Sequence, residues 1–89
     1  MSKAEEAQTL ARNKKKAMQG KIYRHFKGDL YKVEDVGIHS EDCEPMVIYS
    51  SVENPDQIWC RPLIMFESDV DIQKYPYAKQ KKRFEEVTN

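Results

Sequence analysis

Apolar and polar positions along this 89-residue chain follow two different rhythms. From Ser2 to Met18 a weak apolar stripe runs through Ala4, Ala7, Leu10, Ala11 and Met18. Spacings of three and four place them on one side of a helix. Ser2 with Glu5 three residues on has the form of a capping box, and Gly20 stands where a helix C-terminus ends. The stripe is mostly alanine and buries little area, so the helix is marginal alone and needs a surface to dock on. From Lys21 the rhythm shortens to the two-residue period of strands. Strands are predicted over Lys21–Phe26, Leu30–Ile38, Met46–Val52 and Ile58–Arg61. Lys27-Gly28-Asp29 reads as a tight turn, His39–Pro45 as a polar loop, and Glu53-Asn54-Pro55-Asp56 as a turn held by its proline. Gly37, beside Glu34 and Asp35, predicts a bulge or bend late in the second strand. Pro62 stops the fourth strand, and Leu63-Ile64-Met65-Phe66 predicts one helical turn that plugs an end of the sheet. The tail has two readings: a helix over Tyr77–Val87 started by Pro76, or a fifth short strand over Arg83–Val87 anchored by Phe84 and Val87.

Together these elements predict a mostly β fold with an N-terminal helix, built as a small barrel or a curled antiparallel sheet of four to five strands. A flat sheet of that size would leave its edges open to pairing. The organisation reads as a helical extension over residues 1–19 and a small β-barrel domain over residues 20–89. Hydrophobic residues make up 39% and charged ones 34%, which fits one small domain with a thin core. No apolar run approaches the length of a membrane span, and the N-terminus lacks the apolar stretch of a signal peptide, so a cytoplasmic protein is expected.

Charge changes the picture more than composition does. The formal net charge is zero. Residues 1–32 nevertheless carry nine basic and three acidic side chains, residues 33–73 one basic and ten acidic, and residues 74–89 five basic and two acidic. Basic ends flank an acidic middle in which Arg61 is the only Lys or Arg. Such a chain pairs its own ends with its middle or faces two different partners.

Most catalytic chemistries find no pattern here. Cys43 sits among carboxylates that disfavour a thiolate, and Cys60 alternates with Trp59 and Arg61 as a small apolar group. A cytosolic setting argues against a disulfide between them. His25, His39, Cys43 and Cys60 lack the close Cys-x2-Cys pair of structural zinc sites, so no metal and no cofactor are expected. His39, Ser40 and Glu41 are neighbours in one loop, where a base cannot easily face a nucleophile. The glycines at 20, 28 and 37 are isolated, so no phosphate loop is present. Lys14-Lys15-Lys16 and Lys79–Arg83 suit phosphate-binding arms, with Tyr23, Tyr31 and Trp59 as stacking candidates, but the acidic middle opposes a polyanion. Alternation puts Trp59 and Arg61 on one face of their strand and Arg24 on the face opposite Tyr23 and His25. An arginine beside aromatics stacks, pairs with a carboxylate such as Glu41 or Glu44, or holds an anion.

Ile22-Tyr23-Arg24-His25-Phe26-Lys27-Gly28, then Tyr31-Lys32-Val33, His39-Ser40-Glu41, Glu44, Val47-Ile48-Tyr49, Trp59, Arg61-Pro62-Leu63 and Met65-Phe66 follow in an order and spacing that resembles the small bacterial and phage family called domain of unknown function 1653. The match covers about residues 20–70, and Arg83-Phe84-Glu85 looks like the stretch on which that family often ends. The resemblance implies a compact, mostly β domain of SH3-like barrel type and favours the terminal strand. It implies no activity. The helix at 1–19 lies outside it, and Cys60 stands where the family pattern has another apolar residue such as valine. Arg24, His25, His39, Glu41, Tyr49, Trp59 and Arg61 are the expected ligand-binding residues, converging at one end of the barrel into a cleft with both charge signs and aromatic walls. The same groups equally suit a buried hydrogen-bond network. The leading expectation is a non-enzymatic binding module for a small polar or nucleotide-like ligand or a protein segment. Alternatives are a nucleic-acid accessory protein using the basic arms and a small hydrolase with His39 or His25 as base. No membrane partner is expected; self-association through the helix stripe and open strand edges is.

Overall fold

The computed structural model describes residues 2–88. Helix α1 spans Lys3–Met18. The Ser2 hydroxyl accepts from the Glu5 backbone N–H at 3.2 Å and donates to the Glu5 carboxylate at 3.1 Å, a variant of the predicted capping box. At the other end Gly20 adopts φ +83°, left-handed backbone that side-chain-bearing residues rarely take, and its N–H donates to the Val33 carbonyl at 2.8 Å. That turn delivers the chain from helix to sheet.

The strands are β1 (Ile22–His25), β2 (Leu30–Ile38), β3 (Pro45–Ser51), β4 (Ile58–Pro62) and β5 (Phe84–Glu86), with the single-turn helix α2 (Leu63–Phe66) after β4. Every pairing is antiparallel and the order across the sheet is β4-β3-β2-β1-β5. The tail is therefore the fifth strand, and the helix over Tyr77–Val87 does not form. Between α2 and β5 the chain folds back on itself: Arg83 N donates to the Ser68 carbonyl at 2.9 Å and Val70 N to the Lys81 carbonyl at 2.7 Å.

The sheet is curled. Four strand spacings would separate β4 from β5 by about 19 Å if it were flat. Instead the Arg61 guanidinium of β4 lies 5.6 Å from the Phe84 ring centre of β5. No backbone ladder joins these two edges among the described residues, so the sheet is open and the closed barrel gives way to the curled alternative. Phe66 of α2 fills the space between them. It is 1% exposed, and Val33 and Val47 beside it are 0%.

The bulge lies earlier in β2 than the glycine suggested. Register shifts between Val33 and Asp35, while Gly37 pairs regularly with Met46. The reason is tertiary. Asp35 accepts from the Val36 N–H at 2.8 Å and from Lys15 of α1 at 3.2 Å, and Gln19 donates to the Glu34 carbonyl at 3.1 Å. The Val36 N–H first, and the Lys15 ammonium second, hold the Asp35 carboxyl below the usual carboxylate range. The bulge is thus where the helix docks. Ala11 and Met18 of α1 join the same core cluster as Tyr23, Val33, Val47 and Phe66, because an alanine stripe lets the helix backbone approach the sheet closely. Among the described residues no helix is long and apolar enough to cross a membrane.

Phe66→Ala should cost about 3–5 kcal/mol, the range for emptying a fully buried aromatic site. Urea denaturation checks this, and a loss below about 1 kcal/mol would mean that the ring does not hold the curl together.

Candidate functional site

The period of two sends Tyr23 and His25 of β1 inward, and the pairing His25↔Phe84 places the β5 ring beside the imidazole. Tyr49 of β3 pairs with Val33 and Trp59, and Arg61 of β4 pairs with Val47, so all these side chains share the concave face. Arg61 Nε donates to the Tyr49 hydroxyl at 3.1 Å while its guanidinium covers Phe84. Phe84 is in turn in edge contact with His25 at 5.0 Å, Tyr31 at 5.9 Å and Tyr49 at 5.5 Å. His25, Tyr49 and Arg61 are therefore brought together by one aromatic ring.

Above them opens a pocket of about 340 Å³. Its walls include His25, Lys27, Arg61, Lys74 and Arg83, against a single carboxylate, Asp71. Asp71 is already engaged, accepting from the N–H groups of Gln73 at 3.1 Å and Lys74 at 3.3 Å. None of Lys27, Arg61, Lys74 and Arg83 has a carboxylate oxygen within 4.0 Å among the described residues. Aromatic rings stand in: the Lys27 ammonium lies 5.2 Å from the Tyr75 ring centre and 5.9 Å from that of Phe26, and the Lys74 ammonium 5.5 Å from Tyr75. Arg83 Nε is buried and has no hydrogen-bond partner among the described residues. His25 Nδ1 accepts from the Lys27 N–H at 3.1 Å, which places the proton of the neutral ring on Nε2. Burial first, then Arg61, Lys27 and Arg83, push the His25 pKa below its ordinary value; Asp29 pulls weakly the other way. The pocket thus holds cations and a neutral imidazole donor, with little negative charge of its own.

The other expected residues lie elsewhere. Trp59 is on the same face of β4 as Arg61 but is 48% exposed, outside the pocket. Arg24 points outward and lines a neighbouring cleft. His39 and Glu41 sit in the loop after β2, and the eight steps from Leu30 to Ile38 put roughly 25 Å of strand between the two ends. There His39 Nδ1 accepts from Glu41 N at 3.2 Å and faces Asp42 at 3.3 Å, a turn that shapes the loop. Convergence of all seven residues at one end is corrected accordingly. So is an Arg61 pairing with Glu41 or Glu44: its partners are a tyrosine hydroxyl and a ring. Lys27, Lys74, Tyr75 and Arg83 were not expected in the site. Lys27 lies inside the quoted motif, but nothing local announces where residues 71–83 fold. Of the basic runs, Lys14 pairs with Glu67 at 2.6 Å, Lys15 with Asp35 and Lys82 with Asp69 at 3.0 Å.

A family model described as "Protein of unknown function (DUF1653)" matches residues 21–86. A crystal structure of a DUF1653 protein from Bordetella bronchiseptica superposes with a TM-score of 0.66 at 25% identity, over 84% of this chain and 94% of that one. No curated protein matches the chain. The chain belongs to the DUF1653 family, and the matched span takes in β5 and therefore Arg83 and Phe84.

The depressed His25 pKa carries a pH signature. The unfolded chain binds the proton more readily than the fold does, so this contribution to stability is complete above an unfolded histidine pKa of about 6.5 and falls away as pH drops toward the folded value. Thermal unfolding between neutral and mildly acid pH should show a shallower loss for His25→Gln than for the parent chain. Equal slopes would mean the imidazole feels no such pressure.

Proposed function

We propose that this DUF1653 protein is a non-enzymatic binding module whose concave-face pocket takes the anionic group of a small ligand, a phosphate or a carboxylate. One observation carries the reading: Lys27, Arg61, Lys74 and Arg83 gather around one pocket, and none of them has a carboxylate oxygen within 4.0 Å among the described residues. Cations gathered in this way repel one another, and an anion entering the pocket offsets that repulsion. Arginine guanidinium groups present paired N–H donors suited to planar or tetrahedral oxyanions. The Nε2–H of neutral His25 adds a donor that needs no proton uptake. A volume of about 340 Å³ falls at the small end of ligand pockets, enough for an anionic head group rather than a whole polymer. The basic arms have less behind them as a separate nucleic-acid surface, since Lys14, Lys15 and Lys82 are turned to carboxylates of the chain itself. Such surface pairs are weak, but they lower the local positive field.

The test is a titration of the full chain with inorganic phosphate and with acetate at low ionic strength, read on the arginine Nε–Hε resonances. Arg83 and Arg61 should shift saturably, and added sodium chloride should weaken the effect through screening. A Lys27→Ala, Lys74→Ala double variant should bind at least about tenfold more weakly, given roughly 1.5–3 kcal/mol for a charge-assisted bond. Unsaturable or absent shifts at both arginines would remove the proposal.

A further inference from the structure

The basic pocket has a neighbour on the other side of a thin wall. Phe26, Lys27 and Tyr75 line both the pocket of about 340 Å³ and an adjoining cleft of about 700 Å³. The rings of Phe26 and Tyr75 meet at 4.8 Å, and the Lys27 ammonium stands over both of them. The wall is therefore aromatic, with one cation set along it. Beyond it the cleft presents Tyr77, which is 77% exposed and touches Tyr75 edge-on at 6.5 Å. A tyrosine left so open offers much of its ring to solvent. Arg24 and Glu85, cross-strand partners on the outward side of β1 and β5, line the same cleft, so a donor and an acceptor stand next to each other there. Gln80 Nε2 donates to the carbonyls of Arg24 at 3.0 Å and Lys82 at 2.9 Å, which ties the segment carrying Tyr77 to the sheet.

We propose that the two spaces together form a nucleotide site, with the phosphate among Arg61, Lys27, Lys74 and Arg83 and the base against Tyr77 beside Arg24 and Glu85. The proposal rests on the anion reading above and extends it from a charged group to a whole ligand class. The chemistry is that of a nucleoside phosphate: a tetrahedral anion joined by a sugar to a flat ring with hydrogen-bonding edges. Stacking on an exposed aromatic serves every base, because every base has a π-face, while a neighbouring donor and acceptor read its edge. Lys27 lies at the wall between the two parts, where the sugar phosphate would cross. A free nucleotide and the residue of a single strand share this chemistry.

Calorimetry on the full chain at low salt separates the possibilities with four probes: inorganic phosphate, adenosine, adenosine monophosphate and a short single-stranded oligoadenylate. The monophosphate should bind at least roughly tenfold more tightly than either phosphate or adenosine, as expected when one stacked base is added to an anion contact. Tyr77→Ala, at a surface position, should bring the monophosphate back to the affinity of phosphate and leave phosphate binding unchanged. Tighter binding of the oligonucleotide than of the monophosphate assigns the site to a strand, and equal or weaker binding assigns it to a free nucleotide; both uphold it. A monophosphate that binds no better than phosphate, or a Tyr77→Ala variant that binds it as the parent does, overturns the nucleotide site and leaves the anion pocket standing. Failure of phosphate to bind at all overturns both.

Discussion

The rings of Phe66 and Phe84 lie 4.1 Å apart and within 6° of parallel, and much of the molecule is arranged around that stack. β5 has only three residues, too few to hold an edge by backbone bonds alone. Its place is secured by Phe84, whose ring is packed by His25, Tyr31, Tyr49 and Phe66 and covered by Arg61. Phe66 comes from the single helical turn after β4, so the stack joins the two free edges of the sheet through side chains where no ladder does. The curl follows from this. So does the placing of the residues on either side of Phe84: Arg83 enters the basic pocket and Glu85 faces the neighbouring cleft.

A second constraint is electrostatic. The acidic middle of the chain is met by its basic ends, with Lys14 on Glu67, Lys15 on Asp35 and Lys82 on Asp69, while Lys21 on Glu86 joins one end to the other. Each such exposed pair is worth about 0–1 kcal/mol, so together they add little to the stability of the fold. Lys27, Lys74 and Arg83, which gather around Arg61, are among the cations without such a partner among the described residues. Zero net charge thus describes a molecule whose charges are only partly paired.

Local rules account for much that was legible beforehand. The end of α1 at Gly20, the strand alternation and the plug at Leu63–Phe66 each depend on residues close in sequence. So does the sharing of one face by Tyr49, Trp59 and Arg61, since period and pairing decide it. Local pattern left the tail open between helix and strand, and the family resemblance favoured the strand. The bulge was displaced from Gly37 to Glu34 because Lys15 and Gln19, which dock on it, come from the helix. The site was half legible for a similar reason. His25, Tyr49 and Arg61 sit on regular strands, whereas Lys74, Tyr75 and Arg83 belong to a stretch without periodicity. Its course is set by the backbone bonds of Ser68 to Arg83 and Val70 to Lys81. His39 and Glu41 failed to join because proximity to a strand does not say which end of it faces the pocket.

The pocket itself is a place where the fold forgoes stability. Cations gathered without carboxylates repel one another, and a buried guanidinium N–H without an acceptor lacks a bond that water would supply in the unfolded chain. Rings soften the first cost, since Phe26, Tyr75 and Phe84 turn their negative faces to Lys27, Lys74 and Arg61. They do not answer the second, because no ring contact reaches Arg83. His25 lessens the crowding by staying neutral, at the expense of a pKa pushed below the ordinary value. An arrangement selected for packing alone would bring one of the chain's fifteen acidic side chains to this spot. Asp71, the only one that lines it, instead spends its carboxylate on the turn at Gln73 and Lys74. An incoming anion would relieve the repulsion among these cations, and ligand and fold would then stabilise each other.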